Sequence, residues 1–391
     1  MEKWTEIIRQ SDLTLKKIYQ ENQGFLLFHD DADGCCAAAV LLDLFKLQTL
    51  PNIKKHVNYA SPETHSVEIT PGLEKKLREE KPKHIVSVDL ALSETHKRLG
   101  KILNSLGATM LAYDHHIQSK SLKWPERCTH INPFTYNLGN IPASYFSHIL
   151  HEHYTKKDTS FWVAATGAVA DYRTSECQDL IKKVKEQYPY LYPFNTIDQP
   201  TALKSPLITM GHLVNAGYQH SDHQGAKIAV EALVEALNLQ DPKILLEGKT
   251  EKTRLLHKFR LEVDQDLKKH LDECRLKVDL HLDSKLAIYS IKPKFNISSQ
   301  IATQLQHNNP NKIIVVISPE TRKTLKVSLR KGVNVETDLA LLAEKTTTNL
   351  TGATGGGHRD AAGCTLRNQD VNHWKLALLT FVNETGVQTK S

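Results

Sequence analysis

Three short apolar runs near the start of the chain each stop on acids or histidines. FLLF, residues 25–28, runs into His29, Asp30, Asp31 and Asp33. HIVSV, 84–88, runs into Asp89, and ATMLAY, 108–113, runs into Asp114, His115 and His116. Runs this short and this apolar suit strands buried on both faces of a parallel sheet. Helical segments separate them: CCAAAVLLDLF after the first, then residues 74–80 and 94–106. Strands alternating with helices predict an α/β domain with a parallel sheet. Such sheets hold ligands beyond the carboxyl ends of their strands, so the three clusters are expected to meet at one edge. FWVAATGAVADYR, 161–173, reads as a buried helix whose far end delivers Asp171. An amphipathic helix is expected at 3–20.

Residues 223–278 read as helical. Leu256, Phe259, Val263, Leu267, Leu271 and Cys274 recur at three- and four-residue spacing and form one apolar stripe, as on a connecting helix packed against a domain. A second α/β pattern starts near 285. LAIYSI, KIIVVI and TLKVSLR read as strands, 298–306, 338–345 and 372–384 as helices, and GATGGGHRDAAG lies at 352–363. YPYLYPFNTIDQP, 188–200, reads as a loop insertion. The expected fold class is α/β, with two α/β lobes joined by a long helix: an N-terminal parallel-sheet lobe and a smaller C-terminal mixed-sheet lobe. The expected domains are 1–220, 221–280 for the helical connector, and 281–391.

The 391 residues carry 50 Lys and Arg against 44 Asp and Glu, a net +6. That balance permits a polyanionic partner without demanding one. Six cysteines are scattered with no CxxC pair, which suits a reducing compartment. MEKWTEIIRQ lacks the apolar core of a signal peptide, and no run approaches the 18 apolar residues of a membrane helix. A cytoplasmic protein without membrane contact is expected. There is no Walker A loop or GxGxxG, which argues against a nucleotide-powered machine or a dinucleotide oxidoreductase.

Asp31, Asp33, Asp89, Asp114 and Asp171 at one sheet edge would repel one another, and only Arg173 is close in sequence. Uncompensated buried carboxylates are expensive, and divalent cations resolve the conflict. With His29, His115 and His116 the donor set mixes oxygen and nitrogen, which suits Mn²⁺, Fe²⁺, Co²⁺ or Zn²⁺ better than Ca²⁺. Taken singly, Asp89 or Asp114 is read as well as a helix N-cap. Independent caps, however, do not account for DxD, D and DHH at the ends of three separate strands. Two cations a few ångströms apart would ionise a water and clamp a phosphoryl centre, with Asp89 as the natural bridging ligand.

Gly355, Gly356 and Gly357 would let backbone N–H groups close on an anion. A bare GGG run is more often a flexible turn. With His358, Arg359 and AAG attached, after a βαβ-like unit, it reads as an anion cradle. Ser298 and Ser299 open a helix, an end that favours anions. Arg330 ends a strand and reads equally as a substrate contact or a surface residue. Lys292, Lys294, Arg322, Lys323, Lys326 and Lys331 make this lobe locally basic, either as a solvated face or as a groove for a nucleic-acid backbone.

These residues resemble the DHH phosphoesterases. Asp114-His115-His116 matches the naming motif, HDDADG the first motif, SVD the second and GAVADY the fourth. GGGHRDAAG resembles the signature of the DHH-associated substrate-binding domain. The order holds from about residue 24 to 366. Within the family the chain is most similar to RecJ-type exonucleases, especially the compact archaeal ones, through DADG and Asn215-Ala216-Gly217. Where RecJ proteins carry arginine after that glycine, this chain has Tyr218. A chain ending soon after the glycine motif is expected to lack the OB-fold of bacterial RecJ.

The resemblance implies two divalent ions, Mn²⁺ or Mg²⁺. His29, Asp31 and Asp89 would surround one, and Asp33, Asp89, His115 and Asp171 the other. It implies that Asp114 orients His115, and that His116 contacts the scissile phosphate or protonates the leaving oxygen. Asp30 is expected to be solvated or to sit behind a ligand. The implied activity is exonucleolytic hydrolysis of single-stranded DNA or RNA to mononucleotides. The alternatives are a small-substrate phosphoesterase of the nano-RNase, phosphoadenosine phosphatase or cyclic-dinucleotide phosphodiesterase type, and a non-catalytic replication scaffold. The implied partners are single-stranded nucleic acid or a short oligonucleotide. Archaeal relatives of this size also resemble proteins that join the GINS replication complex.

Overall fold

The computed structural model describes residues 4–21, 24–48, 57–63, 68–92, 96–116, 122–276, 280–282, 285–357 and 359–385. The chain divides into two compact units, Met1–Arg260 and Leu261–Ser391.

The first unit contains α1 (Thr5–Glu21), β1 (Gly24–Phe28), α2 (Ala32–Gln48), β2 (Asn58–Ala60), α3 (Pro71–Glu80), β3 (His84–Val88), α4 (His96–Leu106), β4 (Thr109–Tyr113) and β5 (Cys128–Ile131). Then follow α5 (Ala143–Thr155), α6 (Phe161–Ala170), α7 (Gln178–Gln187), α8 (Gln199–Ala202), α9 (Pro206–Leu239), α10 (Lys243–Glu247) and α11 (Glu251–Leu276). The sheet order is β2-β1-β3-β4-β5 and every pairing is parallel. Strand side chains alternate between two cores, as a period of two requires. Leu26, Phe28, Val86, Val88, Leu111 and Tyr113 join a core with α2, α5, α6 and α9. Phe25, Leu27, Ile85 and Met110 join another with Leu73 and Leu77 of α3 and Leu99 and Leu103 of α4. The small residues Cys35 to Ala39 of α2 are fully buried. They let α5, α6 and α9 close around that helix.

The division falls within α11. Leu256 and Phe259 belong to the first unit's core, and Val263, Leu267 and Cys274 to one of the second unit's. Residues 221–260, expected in a separate connector, are therefore part of the first unit: Ala226, Val230 and Leu233 of α9 are buried in its core. The 188–200 segment, expected as a loop insertion, holds a 3₁₀ turn at Pro189–Leu191 and runs into α8, and it is packed, with Leu191 and Tyr192 fully buried.

The second unit continues with β6 (Leu280–Leu282), β7 (Leu286–Ser290), α12 (Ser298–His307), β8 (Ile313–Pro319), β9 (Thr324–Lys331), α13 (Leu339–Thr347), β10 (Thr354–Gly357), β11 (Ala361–Arg367) and α14 (Val371–Thr385). Its sheet is mixed, ordered β10-β11-β9-β8-β7-β6, with β7–β8 parallel and the other pairs antiparallel. One face packs on α11 and α12 through Ala287, Tyr289, Ile314 and Val316. The other packs on α13 and α14 through Ile288, Val315, Leu329 and Trp374. No helix among the described residues is long and apolar enough to cross a membrane.

Candidate metal centre and glycine strand

Each acid cluster sits one residue past a strand, and the sheet's own ladder holds it there. His29 N–H donates to the Val88 carbonyl (3.3 Å), Asp89 N–H to Tyr113 (2.9 Å) and Asp114 N–H to Ile131 (3.1 Å). Asp89 has φ 61°, in the left-handed region that few residues but glycine and the short polar ones adopt. Such outliers concentrate at functional sites. Asp33 lies in the first turn of α2, and Asp171 caps the C-terminus of α6.

The structure brings the expected metal ligands together in two sets, each with its ligand atoms within 4.8 Å of one another: His29, Asp31 and Asp89, and Asp33, His115 and Asp171. A third set of the same span joins Asp89, His115 and His116. Asp89 is 2% exposed, and its two oxygens divide between the sets. Oδ2 lies 3.5 Å from His29 Nδ1, and Oδ1 lies 3.1 Å from His115 Nε2. Asp31 Oδ2 is 3.1 Å from His29 Nδ1, while its Oδ1 accepts from Gly34 N–H (3.0 Å) and caps α2. Asp171 Oδ2 is 3.7 Å from His115 Nε2. The N-terminus of α5 grips Asp33: Ala143 N–H (2.7 Å), Ser144 N–H (3.1 Å) and the Ser144 hydroxyl all donate to it.

Behind each imidazole stands a second partner. Asp30 Oδ1 lies 3.6 Å from His29 Nε2, on the far side of the ring from Asp31. Asp30 is fully buried, so it is not solvated, and it sits behind a candidate ligand. Asp114 does not meet His115 as expected. Its Oδ1 lies 2.5 Å from His116 Nδ1 and accepts from His116 N–H (3.1 Å). The group behind His115 is Asn140. The Asn140 side-chain amide stands between His115 Nδ1 (2.6 Å) and the Arg173 guanidinium (Nη1 3.2 Å, Nη2 2.9 Å). Arg173 Nε in turn donates to Asp171 (3.1 Å). Asn132 donates to the His116 carbonyl (2.9 Å). Neither Asn140 nor Asn132 announces itself in the sequence, because an isolated Asn in a loop has no spacing to mark it.

The electrostatics fit a site short of positive charge. Burial, and then the carboxylates of Asp89 and Asp171, push Asp33 up to about 8. Burial also pushes Asp171 up to about 6, against the opposing pull of His115. Burial disfavours the charged form of His29 and His115. Asp31, Asp89 and Asp30 around His29, and Asp89, Asp171 and Asp33 around His115, outweigh it and hold both well above the usual imidazole value. His116, paired with Asp114, is raised in the same way. Asp89 Oδ2 is buried with no hydrogen-bond partner among the described residues. A buried carboxylate oxygen that faces an imidazole nitrogen without a hydrogen bond is what a divalent cation would satisfy, so the residues fit one.

At the C-terminus of α6 the chain closes in a Schellman motif. Arg173 N–H donates to Ala168 (2.8 Å) and Tyr172 N–H to Val169 (3.2 Å), with Tyr172 at φ 59°. Glycine usually fills that position, and a residue with a side chain there costs about 1–2 kcal/mol.

In the second unit the glycine run is a strand. Gly355, Gly356 and Gly357 of β10 pair with Cys364, Gly363 and Ala362 of β11. A Cβ at Gly355 would run into the Ala343 carbonyl of α13, and Gly357 has φ 136°. A Cβ at Gly356 would meet nothing within 4 Å. The loop that follows is tethered: Leu339 N–H donates to the Arg359 carbonyl (3.0 Å), and Lys331 Nζ lies 2.7 Å from Asp360. Lys331, read from sequence as part of a basic face, is therefore buried and paired. Lys294 lies 3.5 Å from Glu262. Ser298, expected at the substrate, is buried with its hydroxyl bonded to that of Ser318 (2.6 Å). Arg330 donates to Ser299 (2.6 Å) and Thr303 (3.1 Å), joining β9 to α12. His358 lies outside the described residues.

Residues 283–384 match the DHHA1 domain family. No curated protein sequence matches the chain. Among solved structures the chain is similar to RecJ from Thermus thermophilus in complex with Mn²⁺ (TM-score 0.74, 13% identity, 98% of this chain and 55% of that one). It is also similar to exonuclease RecJ bound to manganese (0.67, 13%, 96% and 94%). A third likeness is to the DHH domain of a member of a family of ribosomal proteins (0.70, 15%, 97% and 90%). The chain spans about half the length of the Thermus RecJ. Residues 283–384 belong to the DHHA1 domain family, and a parallel-sheet unit followed by a mixed-sheet unit is the two-lobed architecture the chain shares with these structures. Its fold is that of RecJ.

Proposed function

We propose that this protein is a metal-dependent phosphodiesterase, a RecJ-like exonuclease that hydrolyses single-stranded DNA or RNA to mononucleotides. The observation that carries the reading is the division of Asp89, one oxygen toward His29 and the other toward His115. A single carboxylate placed between two donor sets is the arrangement of a shared ligand. His29, Asp31 and Asp89 would hold one divalent ion, and Asp33, Asp89, His115 and Asp171 a second. Mn²⁺ is the favoured ion and Mg²⁺ the alternative, since RecJ of the same fold has been solved with each. Bound there, the ions would supply a deprotonated water and charge neutralisation at phosphorus.

The chain's own residues do the rest. Asp30 and Asn140 fix the rings of His29 and His115 from behind. Asp114 keeps His116 charged, and His116 hands its proton to the leaving oxygen. In the second unit, the backbone at Gly356 and the side chains of His358 and Arg359 would take a substrate phosphate. Asp89→Ala should abolish turnover, while Asp89→Asn should leave the fold intact.

DNA and RNA oligomers labelled at either end and incubated with Mn²⁺ test the reading. Mononucleotide release from long single strands supports it. Activity that collapses beyond a few nucleotides shifts the assignment to the small-substrate phosphoesterases. The absence of any Mn²⁺-dependent hydrolysis leaves the scaffold. Single-stranded nucleic acid or a short oligonucleotide is the proposed partner. Copurification with recombinant GINS checks the replication complex as a second.

A further inference from the structure

Tyr172 breaks a local rule with no packing to account for it. It holds the left-handed position that closes α6, yet the residue is 57% exposed. Other helix ends among the described residues that close in this conformation carry Lys81, Asn137, Lys156, Gln240 or Gly248. All of these are polar or glycine. Tyr172 is the only aromatic residue with positive φ among those described. The hydrogen bonds of Arg173 and Tyr172 to the last turn of α6 fix the backbone on both sides of the ring. Asp171, its immediate neighbour, lies 3.7 Å from His115 within the candidate metal centre. A strained, exposed and rigidly carried ring one residue from the chemistry is best explained by what it meets when substrate is present.

We propose that Tyr172 is a specificity-determining residue that stacks on the nucleobase of the nucleotide being cleaved. Aromatic rings take any base, because every base offers a π-face. The stack would select nucleobase-bearing phosphodiesters over phosphate chains without bases. This inference rests on the phosphodiesterase reading above.

The test compares wild type with Tyr172→Gly, Tyr172→Phe and Tyr172→Trp. The substrates are a short single-stranded oligonucleotide and the same oligonucleotide built from abasic residues. Tyr172→Gly should raise KM on the base-bearing strand by roughly five- to 150-fold, the range of a lost base–aromatic stack. Its KM on the abasic strand should stay within twofold of wild type. Its melting temperature should rise, since glycine relieves the left-handed strain. Tyr172→Phe and Tyr172→Trp should retain the wild-type KM. Mn²⁺ affinity should be unchanged in all three. An unchanged KM for Tyr172→Gly on an oligonucleotide that wild type cleaves would overturn the stack and leave the hydrolase standing. An equal loss on both strands, or weakened Mn²⁺ binding, would overturn it in favour of a structural effect on Asp171. No cleavage by wild type would remove both readings.

Discussion

The three glycines of β10 are expected to separate into three kinds when each is changed to alanine. Gly355→Ala pushes a methyl into the Ala343 carbonyl of α13. Overpacking of this kind costs about 1–3 kcal/mol, which lowers the melting temperature of a unit this size by about 3–15 °C. Gly357→Ala places a side chain at φ 136°, a strain of about 1–3 kcal/mol. Gly356→Ala meets open space, so its stability should stay within about 0.5 kcal/mol of wild type. If that open space is where a substrate phosphate reaches the backbone, the same methyl blocks a charge-assisted hydrogen bond worth about 1.5–3 kcal/mol. KM should then rise roughly 10- to 150-fold while kcat holds. Differential scanning calorimetry and steady-state kinetics on an oligonucleotide read both sides. Gly356→Ala melting as early as Gly355→Ala, or keeping the wild-type KM, would refute the reasoning.

Other consequences follow from the site. Metal-free protein should lose stability as pH rises from 5 to 9. Asp33 and Asp171, with folded values near 8 and 6, hold their protons more tightly folded than unfolded, so ionising them works against the fold. His29 and His115, raised well above 6.5, stabilise the fold at low pH and lose that contribution as they deprotonate. The sign is therefore the same for all four. Urea midpoints in EDTA should fall across this range and fall less steeply in Asp33→Asn; a rising midpoint would contradict the assignment. Asn140→Ala frees the back of His115, and Mn²⁺ affinity by calorimetry should drop about 10- to 100-fold, the usual effect of losing such support. Arg359→Ala should raise KM and spare kcat.

Much of this was legible before any coordinates. The strands that carry the acids are short, wholly apolar and end on charge, so β1, β3 and β4 stand out, as does the apolar α6 with Asp171 at its end. The edge strands β2 and β5 are short, with polar residues in NYA and CTHI, and nothing in their composition separates them from loops. The strand β10 is glycine, threonine and nothing else, which reads as a turn until its pairing with β11 is seen. Site roles that depend on side-chain direction were the hardest to read. The order Asp114-His115-His116 does not say which ring the aspartate meets, and the backbone turn at that point gives it His116. Asp30 looks like one more surface acid in a charged string, yet β1 ends in such a way that it is fully buried behind His29. Ser298 opens its helix as expected, but its hydroxyl is taken by Ser318 from the neighbouring strand, a partner 20 residues away.

Titration of metal-free protein with Mn²⁺, followed by electron paramagnetic resonance, tests most directly the claim that one carboxylate serves two ions. Wild type should bind two Mn²⁺ per chain with the spin coupling of a close pair. Asp31→Asn should bind one, and Asp89→Asn should lose the coupled pair altogether. Wild type that binds no Mn²⁺, or Asp89→Asn that still shows a coupled pair, would contradict the account.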